Sequence, residues 1–110
     1  MNNVLDRSQA FTVNGENHEF KFTVKAIIMC EKELENRNLL VTMAGMTNKP
    51  LSIGDAYTLF KWGLLGAKQY KENEIEELFI QYIESSGMVG LQTHLVSAVS
   101  KSGLKNKKKN

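Results

Sequence analysis

Two histidines and one cysteine are the residues whose side chains most readily bind a metal or act as a nucleophile. His18 and His94 fall in different predicted elements, and neither has a Cys, Asp or Glu three or four residues away. A zinc site needs three or four converging ligands, so a structural role is the simpler interpretation for both histidines. Cys30 lies on a predicted helix among Ile and Leu residues, where a buried, unreactive thiol is expected.

Other sequence patterns associated with catalysis are missing. The chain has no Gly-x-Ser-x-Gly sequence, no glycine-rich phosphate-binding loop and no paired-histidine motif. Two groups of glutamates resemble acid–base pairs, but a solvated helix face or the helix dipole explains each more simply: Glu31, Glu33 and Glu35, and Glu74, Glu76 and Glu77. We therefore expect no catalytic residue, no metal and no cofactor, in a protein that is not an enzyme.

Aromatic residues gather on one predicted helix and just after it: Tyr57, Phe60, Trp62 and Tyr70. Phe60 and Trp62 lie about 200° apart on a helical wheel, so a regular helix cannot turn both toward one core. Trp and Tyr commonly anchor protein interfaces. Tyr57, Phe60, Trp62 and Leu65 are therefore the candidate partner-binding residues. The alternative is that neighbouring helices bury both sides.

The composition is that of one ordinary globular domain. A chain of 110 residues, 42% hydrophobic and 24% charged, can bury one core. We expect the domain to span residues 11–104, between a flexible N-terminus (1–10) and a disordered basic tail (105–110). The first ten residues are polar and do not resemble a signal peptide, and no apolar run approaches the ~20 residues that cross a bilayer. We expect a cytoplasmic protein that does not contact a membrane.

The basic residues are concentrated at the C-terminus. Lys105, Lys107, Lys108 and Lys109 turn a net charge of −2 for the rest of the chain into +2 overall. Such a tail favours weak, salt-sensitive contact with phosphates, so a small nucleic-acid-associated regulatory protein is the alternative function. No aromatic residue is interleaved with these lysines, and no helix carries a row of Lys and Arg. Nucleic acid is therefore not the expected partner.

Alternation of apolar and polar residues predicts an N-terminal β-hairpin. Residues 11–13 and 18–22 alternate in this way, which places their apolar side chains on one face of each strand. Asn14-Gly15 lies between them and tolerates the positive φ of a tight turn. Because an isolated hairpin is marginal in water, its aromatic face must pack on the helices that follow.

The first helix is expected to begin after Thr23, which can cap it. Its apolar stripe comprises Val24, Ile27, Ile28 and Leu34, interrupted only by Glu31. Residues 39–46 are apolar without a clean period, and they fit either a short buried helix or a third strand.

Three further helices are expected in the second half of the chain. Ser52, with Asp55 three residues later, is typical of a capped helix start. In this central helix Gly63 and Gly66 either let another helix approach closely or mark an early end. Asn73 is expected to cap the next helix, and residues 85–87 to separate it from the last one. The predicted fold class is α+β, mainly α: an N-terminal β-hairpin followed by about four short packed helices.

The stretch Phe11 to Leu34 resembles the N-terminal signature of small tail assembly chaperones of long-tailed phages and prophages of Gram-positive bacteria. The matching residues are Asn14, Gly15, Glu19, Phe20, Lys21, Phe22, Lys25, Ala26 and Ile27. Residues 51–67 also resemble the central helix of that family, which follows a loop and ends in a Gly/Leu/Ala-rich stretch. The close match covers about a quarter of the chain, and the N-terminal decapeptide is an addition relative to many members.

The resemblance implies a non-catalytic helper protein of phage tail morphogenesis. Such chaperones coat the tape measure protein, recruit tail tube subunits and are then released. The implied partners are thus the tape measure protein and the tail tube protein, and the implied location is the host cell cytoplasm, outside the mature virion. The sequence leaves self-association open.

Overall fold

The computed structural model describes residues 8–67 and 70–102. In chain order the elements are β1 (Ser8–Val13), β2 (Glu16–Lys21), α1 (Val24–Glu33), α2 (Leu39–Ala44), a 3-10 turn (Gly45–Thr47), α3 (Ile53–Ala67) and α4 (Glu72–Lys101). The prediction of an α+β, mainly helical fold with an N-terminal hairpin and four helices is confirmed. The Lys105–Lys109 run and residues 1–7 lie outside the described residues.

The hairpin forms at the predicted turn. Asn14 (φ 52°) and Gly15 (φ 82°) are both left-handed, as a two-residue turn between antiparallel strands requires, and Val13 pairs with Glu16. The strand β1 begins at Ser8, so it includes residues 8–10, which the sequence pattern placed in the N-terminal segment. The phenyl ring of Phe11 stacks on that of Phe20 with centroids 4.3 Å apart.

An aromatic cluster joins the hairpin to the helices. Phe60 of α3 lies 5.4 Å from Phe20 of β2 and 5.3 Å from Phe79 of α4, both between ring centroids. Tyr82 of α4 completes the cluster at 6.0 Å from Phe60. Edge-on arrangements such as these are favoured by the ring quadrupoles, and they supply the packing that the hairpin needs.

The helix α1 buries only part of the predicted apolar stripe: Ile27 and Leu34 lie in the core, and Val24 and Ile28 do not. Thr23 caps it as expected, since its Oγ1 accepts a hydrogen bond from Ala26 N at 3.1 Å. Ile27 is buried, but Val24 is 71% exposed and Ile28 is 49% exposed. The exposure of these two residues has a tertiary cause: α3 packs against α1 on the side that carries Ala26, Ile27 and Cys30.

Residues 39–46 are helical. The side chain of Asn38 caps α2 by accepting from Val41 N at 3.0 Å. The carboxylate of Glu31 adds a second acceptor, at 2.7 Å from Leu39 N. Together these acceptors satisfy two of the free N–H groups at the start of α2, which favours the helix over a third strand.

The helix α3 lies directly against the hairpin because two of its residues are glycines. A Cβ at Gly66 would lie 1.8 Å from the carbonyl oxygen of Lys21, and one at Gly63 would lie 2.8 Å from the Phe20 ring. The close approach predicted at these glycines is present: the hairpin is the nearest neighbour of both, and at Gly66 a second helix is also close, since a Cβ there would lie 3.4 Å from Ala26 Cβ of α1.

The helix α4 begins earlier than predicted and contains the predicted break. Its N-cap is Lys71 and not Asn73, because the Glu74 side chain accepts from Lys71 N at 3.2 Å and closes the first turn there. Gly87 has φ 76° and ψ 172°, which are not helical angles. It therefore divides α4 into two segments, residues 72–86 and residues 88–101. Within the described residues, no helix is both long enough and apolar enough to cross a membrane.

Candidate partner-binding groove

The four candidate partner-binding residues lie on two sides of α3. Phe60 is 0% exposed in the aromatic cluster, so its proposed role as a partner-facing residue is wrong: the hairpin and α4 cover it completely. Tyr57 is partly buried, with its ring edge-on to Phe79 at 5.1 Å. Trp62 and Leu65 are partly buried as well, and both line an open groove on the other side of the helix.

This groove, called here the Trp62 groove, runs between the start of α1 and the C-terminal half of α3. It has a volume of about 360 Å³ and is lined by Thr23, Lys25, Ala26, Trp62, Leu65 and Gly66. Among the described residues that line the groove, Lys25 alone is charged, and the exposed Val24 precedes it in the chain. Ala26 and Gly66 have little or no side chain, so the groove is deepest where they line it. This leaves space for an apolar side chain of another molecule.

An ion pair between Lys61 and Glu33 lies beside the indole ring of Trp62. Lys61 Nζ lies 2.9 Å from Glu33 Oε1 and 3.9 Å from Glu72 Oε2, and it sits 5.3 Å from the centroid of the Trp62 ring. Partial burial alone would raise the pKa of Glu33, but hydrogen bonding from Lys61, the nearby indole N–H and the Lys61 charge hold that pKa below its ordinary value. Trp62 Nε1 is buried without a hydrogen bond of regular geometry. The ring is thus oriented by charged neighbours on one side and open to the groove on the other.

The two histidines that first suggested a metal site are hydrogen bonded to tyrosines, and the cysteine that suggested a nucleophile is buried. His18 Nδ1 lies 2.7 Å from the hydroxyl of Tyr70, and His94 Nδ1 is hydrogen bonded to the hydroxyl of Tyr82. Cys30 is fully buried, and burial, together with the charges of Glu33 and Glu31, raises the pKa of its thiol to about 12. In the part of the chain that the structure describes, no three His, Cys, Asp or Glu side chains converge in a way that could hold a metal ion.

Comparison with protein-family models, with curated proteins and with solved structures gives no match to this chain. A function is therefore inferred from the geometry of the groove together with the residues 11–34 that carry the resemblance. Sequence reasoning found two of the groove residues, Trp62 and Leu65. It missed Thr23, Lys25 and Ala26, although the pairing of a small residue on α1 with Gly66 on α3 was a signal of close approach.

Proposed function

We propose that this protein is a phage tail assembly chaperone that binds the tape measure protein and recruits tail tube subunits during tail morphogenesis. It acts in the host cell cytoplasm, does no catalysis, and is absent from the mature virion. The resemblance of residues 11–34 to that family motivates the proposal, and the Trp62 groove is the observation that carries it.

The Trp62 groove has the features that helix recognition uses. An amphipathic helix binds a protein by laying its apolar side chains, spaced three or four residues apart, into an apolar groove. Trp62 and Leu65 are themselves three residues apart on α3 and present apolar surface along one side of it. A partly buried tryptophan with an ordered neighbourhood is a common centre of binding energy.

Two exposed apolar residues of α1, Val24 and Ile28, lie four residues apart on one face of the helix. Each is about 200° from Ala26 on a helical wheel, so this face points away from the Trp62 groove and is not part of the proposed client site.

Co-expression with the tape measure protein of the same phage or prophage tests the proposal. We expect the tape measure protein to remain soluble and to co-purify with the wild-type chain. Trp62→Ala and Leu65→Ala should each weaken binding by about fivefold or more and reduce the co-purified amount, since loss of an interface anchor commonly costs over 1 kcal/mol. Trp62→Phe, which keeps a large ring, should retain most of the binding.

Ile53→Ala provides the matched control, because Ile53 is an exposed apolar residue on the same helix but outside the groove. It should bind as the wild type does. Circular dichroism of each variant separates lost binding from lost folding. Failure of the wild-type chain to co-purify with the tape measure protein would overturn the proposed function. If Ile53→Ala reduces the co-purified amount as much as Trp62→Ala does, the groove is not the binding site.

A further inference from the structure

A second groove lies on another side of the molecule, between α2 and the part of α4 that follows Gly87. Met43, Ala44 and Met46 form one wall, and Val89, Thr93 and Val96 form the other. We call it the valine groove. Val89 is 77% exposed and Val96 is 39% exposed, so the α4 wall presents apolar surface that no described residue of this chain covers.

The valine groove differs from its neighbours in charge. The two remaining lining residues, Gln92 and Ser97, are polar but not ionisable, so the described residues that line it carry no charge. The Trp62 groove includes Lys25, and the groove between α2 and the start of α3 includes Arg37, Lys49 and Asp55. An uncharged surface offers no ion pair to a charged partner, so binding such a partner would cost the free energy of removing its charges from water. Its complement is another uncharged, apolar surface.

The same surface on a second copy meets that requirement, and its layout is self-complementary. Val89 and Val96 are seven residues apart on one helix, about two turns, so they lie on the same face. A two-fold axis perpendicular to this helix, passing between residues 92 and 93, brings Val89 of one copy against the partner's Val96. The same axis brings the uncharged Gln92 and Thr93 of the two copies together. Antiparallel helices also align their dipoles favourably.

From these observations we propose that the valine groove is a homodimer interface, in which the 88–101 segment of α4 pairs antiparallel with the same segment of a second copy. This inference does not depend on the proposed function. Eight described residues line the groove, against roughly 20–30 on each side of a stable interface, so the dimer is weak.

Sedimentation equilibrium from about 1 μM to 1 mM protein, a range that covers weak dissociation constants, tests the interface with two matched variants. Val89→Glu places a carboxylate in the apolar contact and should raise the dimer dissociation constant by about tenfold or more. Val24→Glu makes the same change at a similarly exposed valine, 71% against 77%, on another helix, and it should dimerise as the wild type does. Circular dichroism establishes that both variants are folded.

The arrangement of the two helices is tested by disulfide cross-linking. Val89→Cys protein mixed with Val96→Cys protein should form a disulfide-linked dimer under mild oxidation, whereas Val89→Cys alone should not. The native Cys30 is fully buried and does not compete. A wild-type chain that stays monomeric throughout, dimerisation that survives Val89→Glu, or loss of the dimer with Val24→Glu overturns the interface. Efficient linking of Val89→Cys to itself overturns the antiparallel arrangement.

Discussion

Replacing Gly66 with alanine should force α3 away from the hairpin. The added Cβ would lie 1.8 Å from the carbonyl oxygen of Lys21 and 3.1 Å from its carbonyl carbon. These are backbone atoms, so no side-chain rotation relieves the overlap, and either the strand or the helix must move. Overpacking of this kind costs ~3 kcal/mol at the upper end of its usual range, while alanine gains ~1 kcal/mol over glycine within a helix. The expected net loss in the free energy of unfolding is therefore ~2 kcal/mol.

Gly54→Ala is the matched control for this prediction. Gly54 lies near the exposed start of the same helix, and a Cβ there meets nothing within 4 Å. This variant should be more stable than the wild type by ~0.5 kcal/mol, because alanine restricts the unfolded chain. Urea unfolding measures the difference, followed by circular dichroism and by the fluorescence of Trp62, the only tryptophan in the chain. If Gly66→Ala proves as stable as Gly54→Ala, α3 and the hairpin are not in the contact described.

Two further predictions concern buried groups of the core. Tyr82→Phe removes the hydroxyl that is hydrogen bonded to His94 Nδ1 and Gly90 O. This change should lower the free energy of unfolding by ~1–2 kcal/mol. Tyr57→Phe is the control, on a partly buried residue for which the structure gives no hydroxyl hydrogen bond, and it should change that free energy by less than ~0.5 kcal/mol. Urea unfolding distinguishes them, and equal effects would contradict the role of the Tyr82 hydroxyl. Because burial raises the pKa of Cys30 from 9.0 to about 12, the unfolded chain loses this proton first, so stability is fully present below pH 9 and falls as the pH rises toward 12. Cys30→Ala should weaken that alkaline fall in the urea midpoint, and an unchanged fall would contradict the assignment.

The hairpin was predictable because its signals are local. The Asn14-Gly15 turn and the alternation on either side require no knowledge of the rest of the chain, and the structure has both. Thr23 as a helix cap is local in the same sense. The Gly87 break followed from a glycine that interrupts an otherwise helical pattern.

Features that depend on distant residues were not predictable in the same way. Residues 39–46 fit a helix or a strand until the Glu31 carboxylate, eight residues before Leu39, is seen to accept from its N–H. The apolar stripe of α1 included Val24 and Ile28, but the side on which α3 packs decides which apolar residues are buried. Tertiary packing overrides a local pattern in such cases.

The sequence indicated only part of the candidate groove, because the groove also depends on residues that are distant in the chain. The helical wheel placed Phe60 and Trp62 on opposite sides of α3, which is where they lie, but it did not say which side was the core. Phe60 lies in the core, and Trp62 borders the groove. The groove also needs Ala26, which is 40 residues away from Gly66 in the sequence, and only the folded chain brings α1 and α3 together.

The fluorescence of Trp62 tests the central claim most directly, because the chain has no other tryptophan. A tryptophan-free helical segment of the tape measure protein is titrated into the wild-type chain and, as a control, into the Leu65→Ala variant. Binding in the Trp62 groove predicts a saturable shift of the emission to shorter wavelength, as the indole ring leaves water, with weaker binding by the variant. A segment that binds in a pull-down while the emission of Trp62 stays unchanged would contradict the groove as the client site, and no binding at all would contradict the chaperone function.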